Sequence, residues 1–243
     1  EAINIILSSC KERKIKISSA CFGVAGPVSA NHDFCSLTYV KWKADTKEIL
    51  RKTSLKAFLI NDFEAVVYGI NMLSNRDLME VGHKRKALPK ATKAVIGAGT
   101  GLGKSILVYQ DYYKAYIPIP SEGGFSDFPA QNELELGLVD FIKKKKKINE
   151  PISWEEIISG KGIESIYSFL RPSFNPTKYT SEISRSMDKA PLIAKYKNRD
   201  RACRETFRLY VRFYARCAKN FVLDSLARGG LYIAGGIASK NSE

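Results

Sequence analysis

The stretch AVIGAGTGLGKS, residues 94–105, decides how the chain is to be read. Counted from Ala98, it fits the loose nucleotide-loop pattern of Ala or Gly, four residues, then Gly103, Lys104 and Ser105. A loop of that type needs a strand before it and a helix after it, because loop amides and the helix N-terminus cradle the phosphates together. Lys93 to Ile96 supply the strand, but Ser105 is followed by Ile106, Leu107, Val108 and Tyr109, then Tyr112, Tyr113, Tyr116 and Ile117. β-Branched and aromatic residues at that density make a second strand rather than a helix. The glycines Gly97, Gly99, Gly101 and Gly103 therefore close a hairpin. Two uses are open for such a turn. Its glycines can bring backbone amides close to a phosphate, with the Thr100 hydroxyl added, or it can be a tight turn with no ligand.

The 243 residues suffice for one large domain or two smaller ones. No apolar run approaches the roughly 20 residues of a membrane span, so no membrane partner is expected. The five cysteines form no Cys-x-x-Cys pair, which argues against structural zinc and for the reduced thiols of a cytoplasmic protein. A net charge of +14 raises the question of nucleic acid. The one dense block, Lys143 to Lys147, follows a helical apolar pattern and has no interleaved aromatics for base stacking. It is expected as a solvated helix end matched to the helix dipole, not as a nucleic-acid site.

Lys16 to Val24 reads as the first strand, ending in the turn Ala25-Gly26-Pro27. Asp45 followed by Glu48 predicts a capping box at the start of a short helix. The apolar run Ala57 to Ile60 leads straight into Asn61-Asp62, after which Ala65, Val66, Gly69 and Ile70 recur at helical spacing. Strand, polar pair, helix puts Asn61 and Asp62 at the carboxyl end of a strand, where open α/β sheets hold their ligands. In isolation, an Asp before a helix is more often its N-cap than a base, and in an Asn-Asp pair at a strand end the two roles can coexist. Residues 82–92 read as a loop. Ser153 with Glu156 predicts a second capping box, with Gly160 as the stop, and Glu155 in that first turn can simply serve the dipole. The polar stretch from about Pro172 to Asp200 is undecided. Arg201 to about Ala227 is one long amphipathic helix, ended by Gly229-Gly230 before a strand, Leu231 to Ala234, that runs into Gly235-Gly236.

Taken in order, CFGVAGPV (21–28), INDFEA (60–65), GAGTGLG (97–103), EGGFSDF (122–128), ISGKGIESIY (158–167) and LYIAGGI (231–237) resemble the bacterial-type glucokinase family. The resemblance covers nearly the whole chain. It implies an α/β, two-lobed, actin-like (ribonuclease-H-like) sugar kinase fold, with lobes at 1–72 and 73–243 closing over the substrates. It further implies ATP-dependent phosphorylation of glucose at its 6-hydroxyl, with ATP and Mg²⁺, in the cytoplasm, by a homodimer. By the same resemblance Asp62 is the general base, and Asn61, Glu122 and Glu155 hold sugar hydroxyls. Gly97, Gly99, Thr100, Gly101 and Gly103 form a phosphate-binding turn, and Gly235 and Gly236 belong to the nucleotide region. The chemistry is compatible, since phosphoryl transfer asks a protein chiefly for positioning and charge stabilisation.

Three departures from the family pattern stand out. Nothing matches the family's N-terminal Asp-x-Gly-Gly-Thr turn, which carries the first phosphate loop and from which a Mg²⁺-site group is expected. The chain also stops short of the family's last helices, so a fragment incomplete at both ends is expected. Phe125 replaces the usual His of Glu-Gly-Gly-His, and Tyr39, in SLTYVKW (36–42), replaces the Asn of Thr-Asn-x-x-Trp. Phenylalanine neither donates nor accepts a hydrogen bond, so one sugar contact is lost or replaced by ring packing. A kinase for another hexose or amino sugar is therefore the nearest alternative. A sugar-sensing paralogue without turnover is the alternative of another class, and a retained base and phosphate turn argue against it.

Overall fold

The computed structural model describes residues 2–38, 40–82 and 86–242, and Tyr39 lies outside the described residues. The chain divides into two compact units, residues 1–81 and 82–243.

The first unit runs α1 (Ala2–Glu12), β1 (Ser19–Val24), β2 (Phe34–Ser36), β3 (Lys43–Asp45), α2 (Thr46–Thr53), β4 (Lys56–Asn61) and α3 (Asp62–Gly69). β1 and β4 pair in parallel, with Gly23 opposite Ile60 and Val24 opposite Asn61. β1 begins at Ser19 rather than Lys16 because its partner strand offers its first residue, Lys56, opposite Ser19. Asp45 caps α2 through the Lys47 amide at 2.8 Å. Glu48 does not complete the predicted capping box. It pairs instead with Lys52 one turn on, at 2.5 Å.

The second unit holds β5 (Lys93–Ala98), β6 (Leu102–Gln110), β7 (Ala115–Ser121), α4 (Glu133–Lys146), α5 (Trp154–Ile157), α6 (Gly160–Leu170), α7 (Lys178–Arg185), α8 (Ala190–Lys195), α9 (Arg201–Asp224), β8 (Leu231–Ala234) and α10 (Gly236–Ser239). Its sheet has the order β7-β6-β5-β8. β5 and β6 are antiparallel, with Gly97 opposite Gly103 and Ala98 opposite Leu102, so the glycine stretch is a hairpin turn and no helix follows Ser105. β8 joins the other edge of β5 in parallel, Gly97 facing Ala234.

α9, about 36 Å long at 1.5 Å per residue, is the spine of this unit. Its apolar stripe buries Phe207, Tyr210, Phe213, Tyr214, Cys217 and Phe221. α6 packs along it with Ile163 and Ile166. Each such fully buried aliphatic side chain contributes about 1.5–3 kcal/mol. The expected stop at Gly160 is instead a start: α5 ends after one turn, Ser159 caps the Gly162 amide at 3.1 Å, and Gly160 opens α6. The undecided region contains α7 and α8. The Lys143–Lys147 run ends α4, where Lys147 takes the left-handed capping conformation that stops the helix. Among the described residues no helix is long and apolar enough to cross a membrane.

Candidate active site

In the first unit, the carboxyl ends of β1 and β4 bring Gly23, Gly26, Asn61 and Asp62 together. Asn61 caps α3: its Oδ1 accepts the amides of Phe63 (2.9 Å) and Glu64 (3.2 Å), and its Nδ2 donates to the Gly26 carbonyl at 3.4 Å. Both lone pairs of the side-chain oxygen are thus used, leaving one N–H for a ligand. Asp62 is the first residue of α3, not its cap. Its carboxylate is exposed, and Oδ1 accepts the Phe63 amide at 2.8 Å. A Cβ on Gly23 would stand 3.5 Å from the Asp62 Cα, so this glycine lets α3 start hard against β1. Gly26 has φ +149°, and a Cβ there would lie 2.6 Å from the Ser36 carbonyl oxygen and 3.3 Å from Thr38 Oγ1. Cys35 sits beside this turn, its thiol pushed up first by burial and then by the nearby Asp62 carboxylate. Sequence reasoning missed this Gly26–Cys35–Thr38 packing, whose only local signal was the turn Ala25-Gly26-Pro27.

In the second unit, the β5–β6 turn and the start of α10 converge. A Cβ on Gly235, at φ +89°, would lie 2.4 Å from the Ala98 carbonyl oxygen, so Gly235-Gly236 is held directly against the end of β5. Gly97, Gly99, Thr100, Gly101, Gly103, Gly235 and Gly236 therefore form one cluster. The turn is clamped from below: the Gly160 amide donates to the Gly99 carbonyl at 3.0 Å, and the Leu102 amide donates to Glu155 Oε2 at 2.9 Å. The turn opens on a cleft of about 930 Å³ lined by Gly99, Thr100, Gly160 and Gly236. Lys161, Lys195, Lys197 and Lys240 stand around it, with Glu164 and Asp188. Such a cleft has the volume of a nucleotide-sized pocket and an excess of positive charge. These lysines were not legible in the sequence, because Lys161, the Lys195 and Lys197 pair, and Lys240 come from three separate segments that only the fold gathers with the turn.

Glu122 precedes and Phe125 ends a short 3₁₀ turn after β7 (Gly123–Phe125), closed by the Phe125 amide donating to the Glu122 carbonyl at 3.0 Å. Both are exposed, Phe125 at 55%. A Cβ on Gly124 would stand 2.1 Å from the Leu102 carbonyl oxygen, so the second glycine of Glu-Gly-Gly seats this loop on the first residue of β6, next to the phosphate-type turn. Beneath the loop, Phe128 meets Trp154 and Phe213 edge to face at 5.0 Å each. The Arg216 guanidinium lies over Phe128 at 5.0 Å and makes a bidentate pair with Glu135. Among the described residues no three His, Cys, Asp or Glu side chains gather to hold a metal ion.

The family model for glucokinase matches residues 1–243. The glucokinase of Nostoc punctiforme is 39% identical over 239 residues, an alignment covering 91% of this chain and 68% of that protein. The glucokinase of Synechocystis is 35% identical over 243 residues, covering 93% and 67%. A crystal structure of glucokinase from an Antarctic psychrotroph superposes with a TM-score of 0.73 at 27% identity, covering 98% of this chain and 70% of that one. The glucose complex of Balamuthia mandrillaris glucokinase, at 23% identity and a TM-score of 0.75, shares the fold. A strand that delivers Asn-Asp onto a helix, a glycine hairpin clamped over a lysine-rimmed cleft, and a family match from one end to the other lead to one conclusion: this chain belongs to the glucokinase family.

Proposed function

We propose that the protein transfers the γ-phosphoryl group of ATP to the primary hydroxyl of glucose, giving glucose 6-phosphate and ADP. Asp62 accepts the hydroxyl proton as the oxygen attacks the γ-phosphorus and ADP departs with the bridging electron pair. Its exposure and its place on the first turn of α3 leave one carboxylate oxygen available, since Oδ1 is occupied by the Phe63 amide. Asn61, Glu122 and Glu155 orient the sugar through hydroxyl hydrogen bonds. A site built to hydrogen-bond each hydroxyl rejects analogues that lack one. Thr100 and the surrounding glycine amides receive the phosphates, with the cleft lysines supplying positive charge. Mg²⁺ would come held by the nucleotide's phosphates and by water, as is common for this ion, and when bound it neutralises phosphate charge. Cytoplasmic location and a homodimer belong to the same reading, and the free cysteines among the described residues fit a reducing compartment.

The observation that carries this assignment is the cleft of about 930 Å³ opening at the Gly99–Gly101 turn, with four lysines around it. The sugar itself is tested by profiling kcat/KM for glucose, mannose and glucosamine on the full-length protein. Glucose is expected to be preferred. Because Phe125 offers no hydrogen bond, discrimination against at least one modified hydroxyl should be weaker than in Phe125→His. A clear preference for a sugar other than glucose would replace the glucose assignment with another hexose or amino-sugar kinase.

A further inference from the structure

The two oxygens of the Glu155 carboxylate stand in different situations. Oε2 accepts the Leu102 amide at 2.9 Å and so holds the phosphate turn. Oε1 takes no hydrogen bond among the described residues, and the residue is half-buried, which leaves that oxygen open to a hydroxyl. Gly101 fits this arrangement by distance. A Cβ there would stand 2.5 Å from Oε2 and 3.1 Å from the carboxyl carbon, so glycine at this position is what allows the carboxylate to lie on the turn. Leu102 is also the residue on which Gly124 rests, so the turn, the Glu-Gly-Gly loop and Glu155 meet at one backbone position. A carboxylate that only closed a helix start or only met the sugar would need no glycine facing it across the hairpin.

We propose that Glu155 is a positioning residue that couples sugar occupancy to nucleotide occupancy: Oε1 accepts a sugar hydroxyl while Oε2 keeps the phosphate turn in its binding geometry. The coupling rests on the assignment of that turn to phosphates and of Glu155 to the sugar. A hydroxyl on Oε1 restricts the carboxylate and, through Leu102, the turn. Sugar then tightens nucleotide, and by linkage nucleotide tightens sugar by the same factor.

The test is titration calorimetry of ADP into the full-length protein, without sugar and with saturating glucose, for wild type, Glu155→Ala, Glu155→Gln and Gly101→Ala. Without sugar, Glu155→Ala and Gly101→Ala are expected to weaken ADP roughly three- to tenfold, the net scale of one ordinary hydrogen bond. Glu155→Gln keeps an acceptor for the Leu102 amide and should retain most of the affinity, which also separates loss of the bond from misfolding. Glucose should tighten ADP in the wild type and leave it unchanged in Glu155→Ala. A residue serving the sugar alone would leave sugar-free ADP affinity untouched in Glu155→Ala. That outcome overturns the proposal, as does glucose coupling that survives in this variant or is absent from the wild type. Wild-type protein that binds no ADP at all refutes the nucleotide assignment as well.

Discussion

Gly162 is fixed by distance alone: a Cβ there would stand 2.0 Å from the Ile157 carbonyl oxygen, at the point where α6 starts against the end of α5. Gly162→Ala must therefore push the two helices apart, and we expect a loss of about 1–3 kcal/mol in urea unfolding. Gly236→Ala, where no atom lies within 4 Å of the added methyl, should leave unfolding unchanged. Equal destabilisation by both would mean that backbone entropy, not contact, governs Gly162. The sequence makes Asp62 legible because strand, polar pair and helix follow one another locally. Gly160 and Gly162 were not legible in the same way. A glycine after a short helical run is more often a stop than a start, and what demands glycine at 162 is a carbonyl brought up by packing. The hydroxyl-ligand role proposed for Glu155 rests on resemblance, and its bond to an amide 53 residues away has no local signal.

Among the elements, α9 is held to α4 by one buried pair. Arg216 and Glu135, with side chains 12% and 6% exposed, share two short bonds of 2.9 Å, and the guanidinium also faces the rings of Phe128, Trp154 and Phe213. Arg216→Met keeps volume but strands the carboxylate, and a cost of about 3–5 kcal/mol is expected, partly recovered when Glu135→Gln is added. The same pair shapes the acid limb of stability. Burial pushes the Glu135 carboxyl up, but the Arg216 bonds and the Gln131 amide outweigh it and leave it below the ordinary value. Asp200, which caps α9 through the Cys203 amide at 2.9 Å, is likewise lowered: burial opposes, and the Thr177 hydroxyl and that amide prevail. A depressed carboxyl adds stability that is present above its unfolded value, near pH 4, and lost as pH falls through its folded value. Unfolding free energies measured down to about pH 2 should fall less steeply in Glu135→Gln and Asp200→Asn than in wild type. The period of α9 was plain in the sequence, whereas its partner charge, 81 residues away, was not. α7 and α8 escaped notice because their polar faces carry little periodic signal, although Thr177 caps the first and Pro191 opens the second.

At the scale of the whole molecule, the glucokinase assignment draws on both units. Under the proposed roles, the first holds Asp62 as the base, and the second holds the glycine turn for the phosphates, Glu122 and Glu155 for the sugar, and the cleft. Of the lysines behind the net charge of +14, several stand at the cleft, and the densest run ends α4 in solvent. The measurement that bears most directly on the account is a coupled assay of ADP release by the full-length protein, with and without glucose, for wild type and Asp62→Ala. Release should require glucose and should fall by about 10²–10⁴-fold in the variant, the usual contribution of a general base. Sugar-dependent release that persists undiminished in Asp62→Ala, or no sugar-dependent release from wild type, would contradict it.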